Sequence, residues 1–211
     1  MATARLESIK TQNIPLALFC YFILMWVPIT ISALLMALWN TLGQAEIAIF
    51  ECVIFMLIMR QFNVFTLSTL FHRSYSHRQF DYHPIVEHPM RVWNWVWSGT
   101  GGKAWSVLHR WHHAASDTEE DPHSPTKTGG SIWNITQQTF SSYQECIHNP
   151  ERFSRFEYKL PDDGFEKFVQ WLQGKGVIGL VVVRLPMIIA IMNPFIGWKA
   201  AVCALPGIMA S

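Results

Sequence analysis

Long apolar blocks alternate with one mixed region along this chain. Residues 14 to 39, from Ile14 to Trp39, carry no charge. A membrane span takes about 20 apolar residues, so this block predicts a transmembrane helix, with Pro28 as a tolerated kink. The link from Asn40 to Gln44 is short, and the next helix is expected to return antiparallel. That helix is read over residues 42–71, interrupted by Glu51 and Arg60. If the bilayer covers Leu42 to Met59, Arg60 lies at the interface and its head group reaches water. Residues 61 to 72 then carry the helix about 18 Å beyond the bilayer. Glu51 has no assigned role.

Residues 72–175 are mixed and hold every histidine. Trp93, Trp95, Trp97, Trp105 and Trp111 fall close together; they suit either the membrane surface or core packing. Gly99, Gly101 and Gly102 predict a turn or a close helix approach. An amphipathic helix is expected over Ser131 to Ile147, with Ser131 as N-cap. Phe165, Phe168, Val169 and Leu172 repeat at i, i+3, i+4, i+7, which predicts a helix capped by Asp163 and stopped at Gly174. Residues 177–210 are apolar again, broken by Arg184, Pro186, Asn193, Pro194 and Lys199. They read as two short spans, about 177–193 and 194–210, or as one long kinked span. The expected fold is therefore all-α: one domain over 1–211 with about four transmembrane helices, and a helical region 72–175 outside the bilayer. The 40–46 link has no Lys or Arg and the middle region has many, so the positive-inside rule puts that region in the cytosol.

Composition agrees with a multi-pass membrane protein: 50% of residues are hydrophobic and 15% are charged, against a usual ~25% charged. A net charge of +1 implies no nucleic-acid partner. The cysteines Cys20, Cys52, Cys146 and Cys203 form no C-x-x-C pair, and no disulfide framework is expected.

The chemistry lies in two histidine groups. His109, His112 and His113 sit in HRWHHAASDTEEDPHSP, at spacings of three and four that put rings on one helix face. His72 and His77 sit upstream in FHRSYSHR. Their five-residue spacing turns about 140° on an ideal α-helix, so those rings converge only if the helix ends or distorts near Tyr75 and Ser76. Paired cysteines typical of zinc sites are missing. An imidazole set beside membrane segments suits iron with open positions for dioxygen chemistry. Asp117 and Asp121 are the candidates to accept the second ring N–H of a ligand histidine, which would set its tautomer.

These boxes resemble the first two histidine boxes of the membrane fatty-acid desaturases of the stearoyl/acyl-CoA type. The similarity continues through Ser116, Asp117 and Thr118 and then Asp121, Pro122, His123 and Ser124. The resemblance implies an oxidoreductase with a non-haem di-iron centre on the cytosolic side. It would use O2 and two electrons to remove two hydrogens from an acyl chain, in fatty acid biosynthesis. It makes His72, His77, His109, His112 and His113 the metal ligands and puts Trp105 near the acyl path. The implied partners are membrane lipid, an acyl-CoA or acyl-lipid substrate, and a separate electron donor of ferredoxin or cytochrome b type. The family's third histidine box is missing before Ser211, so a C-terminally truncated enzyme is expected. A histidine-box hydroxylase and a catalytically incomplete fragment are the alternative readings.

Overall fold

The structure, a computed structural model, describes residues 14–43, 46–116, 118–124 and 131–209. Helix α1 spans Ile14–Thr41 and α2 spans Ile49–Thr66, and α2 runs without interruption into a π-helical segment, Leu67–Ser76. Helices α3 (Pro84–Ser98), α4 (Gly102–Ala115) and α5 (Ile132–His148) follow. A short 3-10 helix (Pro150–Phe156), α6 (Gly164–Gly174) and α7 (Gly176–Met209) complete the described fold. It is all-helical, with no strand among the described residues.

Local chemistry accounts for many of the boundaries. Asn40 closes the turn after α1: its Oδ1 accepts from Ile47 N (2.8 Å) and its Nδ2 donates to Ile47 O (2.9 Å). The second helix therefore begins at Ile49, later than the expected residue 42. Exposed Glu51 lies in its first turn, where a carboxylate faces the positive end of the helix dipole. Ser131 caps α5 by accepting from Asn134 N, and Asp163 caps α6 by accepting from Glu166 N. Val169 and Leu172 turn inward from α6, while Phe165 and Phe168 meet Trp95 of α3.

Helix α7 passes through Pro186 and Pro194 and breaks at Gly197. With φ 75° and ψ 152°, this residue sits in a region that is essentially glycine's alone. Before the break, Phe195 stacks on Phe55. After it, Trp198 meets Trp39, and Gly207 N donates to Ser32 Oγ (3.0 Å). The final piece thus runs antiparallel to α1. Arg184, buried in the first piece, is satisfied locally: its Nε and Nη2 both donate to Val96 O at the C-terminal end of α3 (3.1 and 3.0 Å).

Among the described residues, two helices are long and apolar enough to cross a membrane, Ile49–Ser76 and Val181–Gly207. Leu34, Leu38, Phe50, Ile58, Val182 and Phe195 are exposed on the outer faces of these helices and of α1. Apolar patches of this extent mark contact with lipid or protein rather than water.

Candidate metal centre

The first histidine pair depends on a local change of helix type. An α-helix would leave His72 and His77 on different faces. In the π segment His77 N donates instead to His72 O (3.0 Å), an i→i−5 bond. Ser76 Oγ spans the same interval to Phe71 O (2.7 Å). A five-residue turn brings the rings onto one side, with their Nε2 atoms 3.2 Å apart. The expected distortion near Tyr75 and Ser76 is therefore this π-helix, a form concentrated at functional sites.

The second group stands on α4. His109 and His113, one turn apart, bring their Nε2 atoms to 3.0 Å. Gly102 lets α4 approach the π segment closely, since a Cβ there would lie 3.0 Å from Phe71 Cε1 and 3.2 Å from Tyr75 Cε2. That approach puts His109 Nε2 3.2 Å from His77 Nε2. The four ligand nitrogens of His72, His77, His109 and His113 lie within 4.8 Å of one another. Six-coordinate ligands at about 2.1 Å from one ion have neighbouring nitrogens about 3.0 Å apart, and tetrahedral ones about 3.4 Å. The 3.0–3.2 Å contacts fit one ion held by imidazoles.

Burial and the neighbouring rings favour the neutral, ligand form of His77 and His109. His109 is pushed down to about 3, first by burial and then by His113, His72 and His77. His77 is lowered by burial and by His72 and His113. In the metal-free state the unfolded chain takes up protons first, below its ordinary histidine value, so stability rises with pH across that window. Stability from His109 is expected to be complete above pH 6.5 and to be lost progressively toward pH 3. Thermal unfolding of chelator-treated protein from pH 7.5 to 4 checks this; an unchanged midpoint below pH 6.5 would contradict it.

His112 stands apart from the four. Its Nδ1 lies 2.7 Å from Asp121 Oδ1, and Asp121 is buried. His112 shares a cavity of about 110 Å³ with Trp105, Leu108, His109, His123 and Thr139. The Trp105 ring stacks on His109, with centroids 4.9 Å apart. Asp117 lies outside the described residues. Replacing Asp121 by alanine would free the His112 ring, and an expected loss of about 10–100-fold in affinity for an ion bound there follows. Metal titration of the variant measures it; unchanged affinity would remove Asp121 from the site.

Two supports were not apparent from spacing. Buried Arg110 lies between the box-two histidines. Its Nη2 donates to Tyr75 O (2.5 Å), and its Nη1 to Phe156 O (2.5 Å) and Tyr158 O (2.8 Å). Tyr75 is held at its other end as well, donating its hydroxyl to Glu87 Oε1 (2.5 Å). The second is buried Arg91, paired with Asp163 (2.5 and 2.9 Å) and Glu166 (3.4 Å), which fastens α6 to α3. Spacing gives no role to His123 either, although it lies two residues after Asp121.

No family model matches the chain, and no solved structure matches it. Two curated proteins do. Over 76 residues, 36% of this chain, it is 33% identical to the Delta-9 desaturase-like 4 protein of Arabidopsis thaliana. Over 131 residues, 61% of this chain, it is 31% identical to the sn-1 stearoyl-lipid 9-desaturase of Synechocystis. The chain is similar to delta-9 desaturases. The matched parts span 25% and 37% of the lengths of these relatives. At these identities the matches support a relationship to desaturases.

Proposed function

We propose that the chain carries the metal-binding part of a fatty-acyl desaturase. The observation that supports this most is the group of four imidazoles, brought together from FHRSYSHR and HRWHHAASDTEEDPHSP beside apolar helices, in a chain similar to two desaturases. In this reading His72, His77, His109 and His113 hold iron, and His112, oriented by Asp121, completes the ligand set from the two boxes. Bound iron would supply the activation of O2 needed to take two hydrogens from unactivated methylenes. The chain's own residues orient and exclude. Trp105 and Leu108 form an apolar wall beside the histidines that keeps water off a hydrocarbon chain. The π segment and α4 hold the ligands in a preformed arrangement.

The same proposal keeps four spans: α1, α2, the first piece of α7 and a last one that begins after Gly197. The Lys- and Arg-rich middle region then lies in the cytosol with the metal. An acyl-lipid or acyl-CoA is the substrate, and a separate protein delivers electrons.

The test uses membranes containing the chain, supplied with ferrous iron, O2, a reduced electron donor and saturated acyl substrates. Mono-unsaturated product is expected, lost in His113→Ala. A hydroxylated product would instead indicate the hydroxylase reading. Iron-loaded chain with no acyl product would overturn the proposal in favour of metal binding without turnover. One observation favours that second reading: the clustered nitrogens suffice for one ion.

A further inference from the structure

The exposed apolar surface of α2 does not end at Arg60. Ile54, Ile58, Phe62 and Phe65 follow i, i+4, i+8, i+11 and are all exposed, so one apolar stripe runs past that charge. The stripe passes to α3 through Phe62, whose ring meets Trp93 edge-on at 4.8 Å. On α3, Ile85, Pro89 and Val92 repeat at i, i+4, i+7 and form an outward face, with Ile85 77% exposed. Exposed His88 stands at the edge of this face, near Asp163. From α3 the surface reaches α6. Phe168 meets Trp95 (5.7 Å) and stacks on Trp171 (6.4 Å), and both Phe168 and Trp171 are exposed. Only Lys175 separates α6 from α7, where Ile178 in the first turn is exposed as well.

Polarity in α3 and α6 is inverted relative to helices that face water. Arg91, Asn94, Glu166 and Gln173 are buried on the inward faces, and the outward faces carry rings and aliphatic side chains. Buried polar groups beneath a large exposed apolar patch mark a surface made for something other than water. Exposed Lys167 and Lys175 accompany Trp171, and Lys175 Nζ lies 5.6 Å from its ring centroid. Lys167 also stands 3.8 Å from the exposed carboxylate of Asp162. A helix with Trp and Phe on one face and lysines beside them suits the headgroup level of a bilayer.

We propose that α3 and α6 rest on the phospholipid bilayer that α2 and α7 cross. Ile85, Val92, Phe168 and Trp171 then sit at the boundary of headgroups and acyl chains, with Lys167 and Lys175 reaching the phosphates. Lipid is the occupant because the face is continuous with the outer stripe of α2 on one side and with the start of α7 on the other. The inference rests on the reading of α2 and α7 as membrane-crossing helices. It moves the bilayer boundary from Arg60 to the level of Phe65. His72 lies seven residues further along. The imidazole group thus stands about 10 Å above that boundary along the helix, instead of about 18 Å.

Photo-crosslinking of the reconstituted full chain tests this. One benzophenone amino acid at a time takes the place of Val92, Phe168 or Trp171, in vesicles of phosphatidylcholine and phosphatidylglycerol. All three side chains are exposed, so the core is undisturbed, and a circular dichroism spectrum checks the fold. The same probe at Ile191, exposed on α7, is the reference for lipid contact; at Phe140, exposed on α5, it is the reference for a ring off this face. Illumination should join the three positions to phospholipid several-fold more than the Phe140 position. Nitroxide lipids give an independent reading: Trp171→Phe should lose more fluorescence quenching with the nitroxide near the headgroup than at the chain end. Lipid products no greater than at Phe140 would overturn the proposal. So would a crosslinked dimer in place of the lipid product, which would make the face a contact between copies. No lipid product at Ile191 in the folded chain would instead overturn the reading of α7 as a crossing helix, and this inference with it.

Discussion

Replacing His109 by alanine is expected to abolish metal retention at the four-histidine group and, with it, any acyl product. His109 is the shared member of the cluster, with its Nε2 3.2 Å from that of His77 and 3.0 Å from that of His113. It bridges the two boxes through these Nε2 contacts, while His77 and His113 meet ring to ring, with centroids 4.7 Å apart. The loss should exceed the ~10–100-fold cost of removing a supporting partner alone. The substitution also has an opposite signature in the metal-free protein. His109 is the ring held down to about 3, chiefly by burial. Its removal should flatten the decline of stability below pH 6.5, because the unfolded state loses a site that it protonates and the folded state does not. Metal analysis and thermal unfolding at pH 7.5 and pH 5 measure both effects. Full metal retention, or an undiminished acid sensitivity, would contradict the placement of His109 at the centre of the cluster.

Arg110→Met is expected to lower stability by about 3–5 kcal/mol, since it removes a buried charge and leaves its partners without a donor. Those partners are the carbonyls of Tyr75, Phe156 and Tyr158, on two segments far apart in the chain. The guanidinium also lies over the Tyr158 ring, 4.1 Å from its centroid. Methionine keeps the apolar stem but supplies no donor. At 2–4 °C per kcal/mol for a chain of this size, the unfolding midpoint should fall by roughly 10 °C. The second consequence falls on the site. Tyr75 lies within the π segment, two residues before His77, and release of its carbonyl lets that turn return toward ordinary α geometry, which separates His72 from His77. Metal affinity should therefore fall together with stability. Arg110→Lys should rescue little, because one ammonium cannot serve carbonyls at both ends of the guanidinium fork. A variant with wild-type midpoint and wild-type metal content would show that these bonds neither stabilise the fold nor position the site.

Several features were legible without the fold. The caps at Ser131 and Asp163 follow from side chains within three residues of the amides they accept from. The pairing of His109 with His113 follows from one turn of an α-helix. Such relations lie within a few residues, where spacing and side-chain chemistry leave little choice. The apolar blocks likewise announced the long helices, although spacing did not reveal that α7 breaks at Gly197 rather than beside Pro194.

Tertiary structure decided the rest. A five-residue histidine spacing is compatible with a ligand pair or with two unrelated rings. The choice depends on whether the backbone closes an α or a π turn. Here the π turn coincides with contacts from elsewhere in the chain: Arg110 on Tyr75 O, and the close approach of α4 at Gly102. In the same way, His112 differs from its neighbour His113 because Asp121 folds back to it, and His123 becomes its companion only through that loop and Thr139 of α5. The sequence by itself determined the long apolar helices, the caps at Ser131 and Asp163 and the supply of closely spaced imidazoles. Only the packed chain decided which imidazoles share a site, because that depends on long-range contacts that no local spacing encodes.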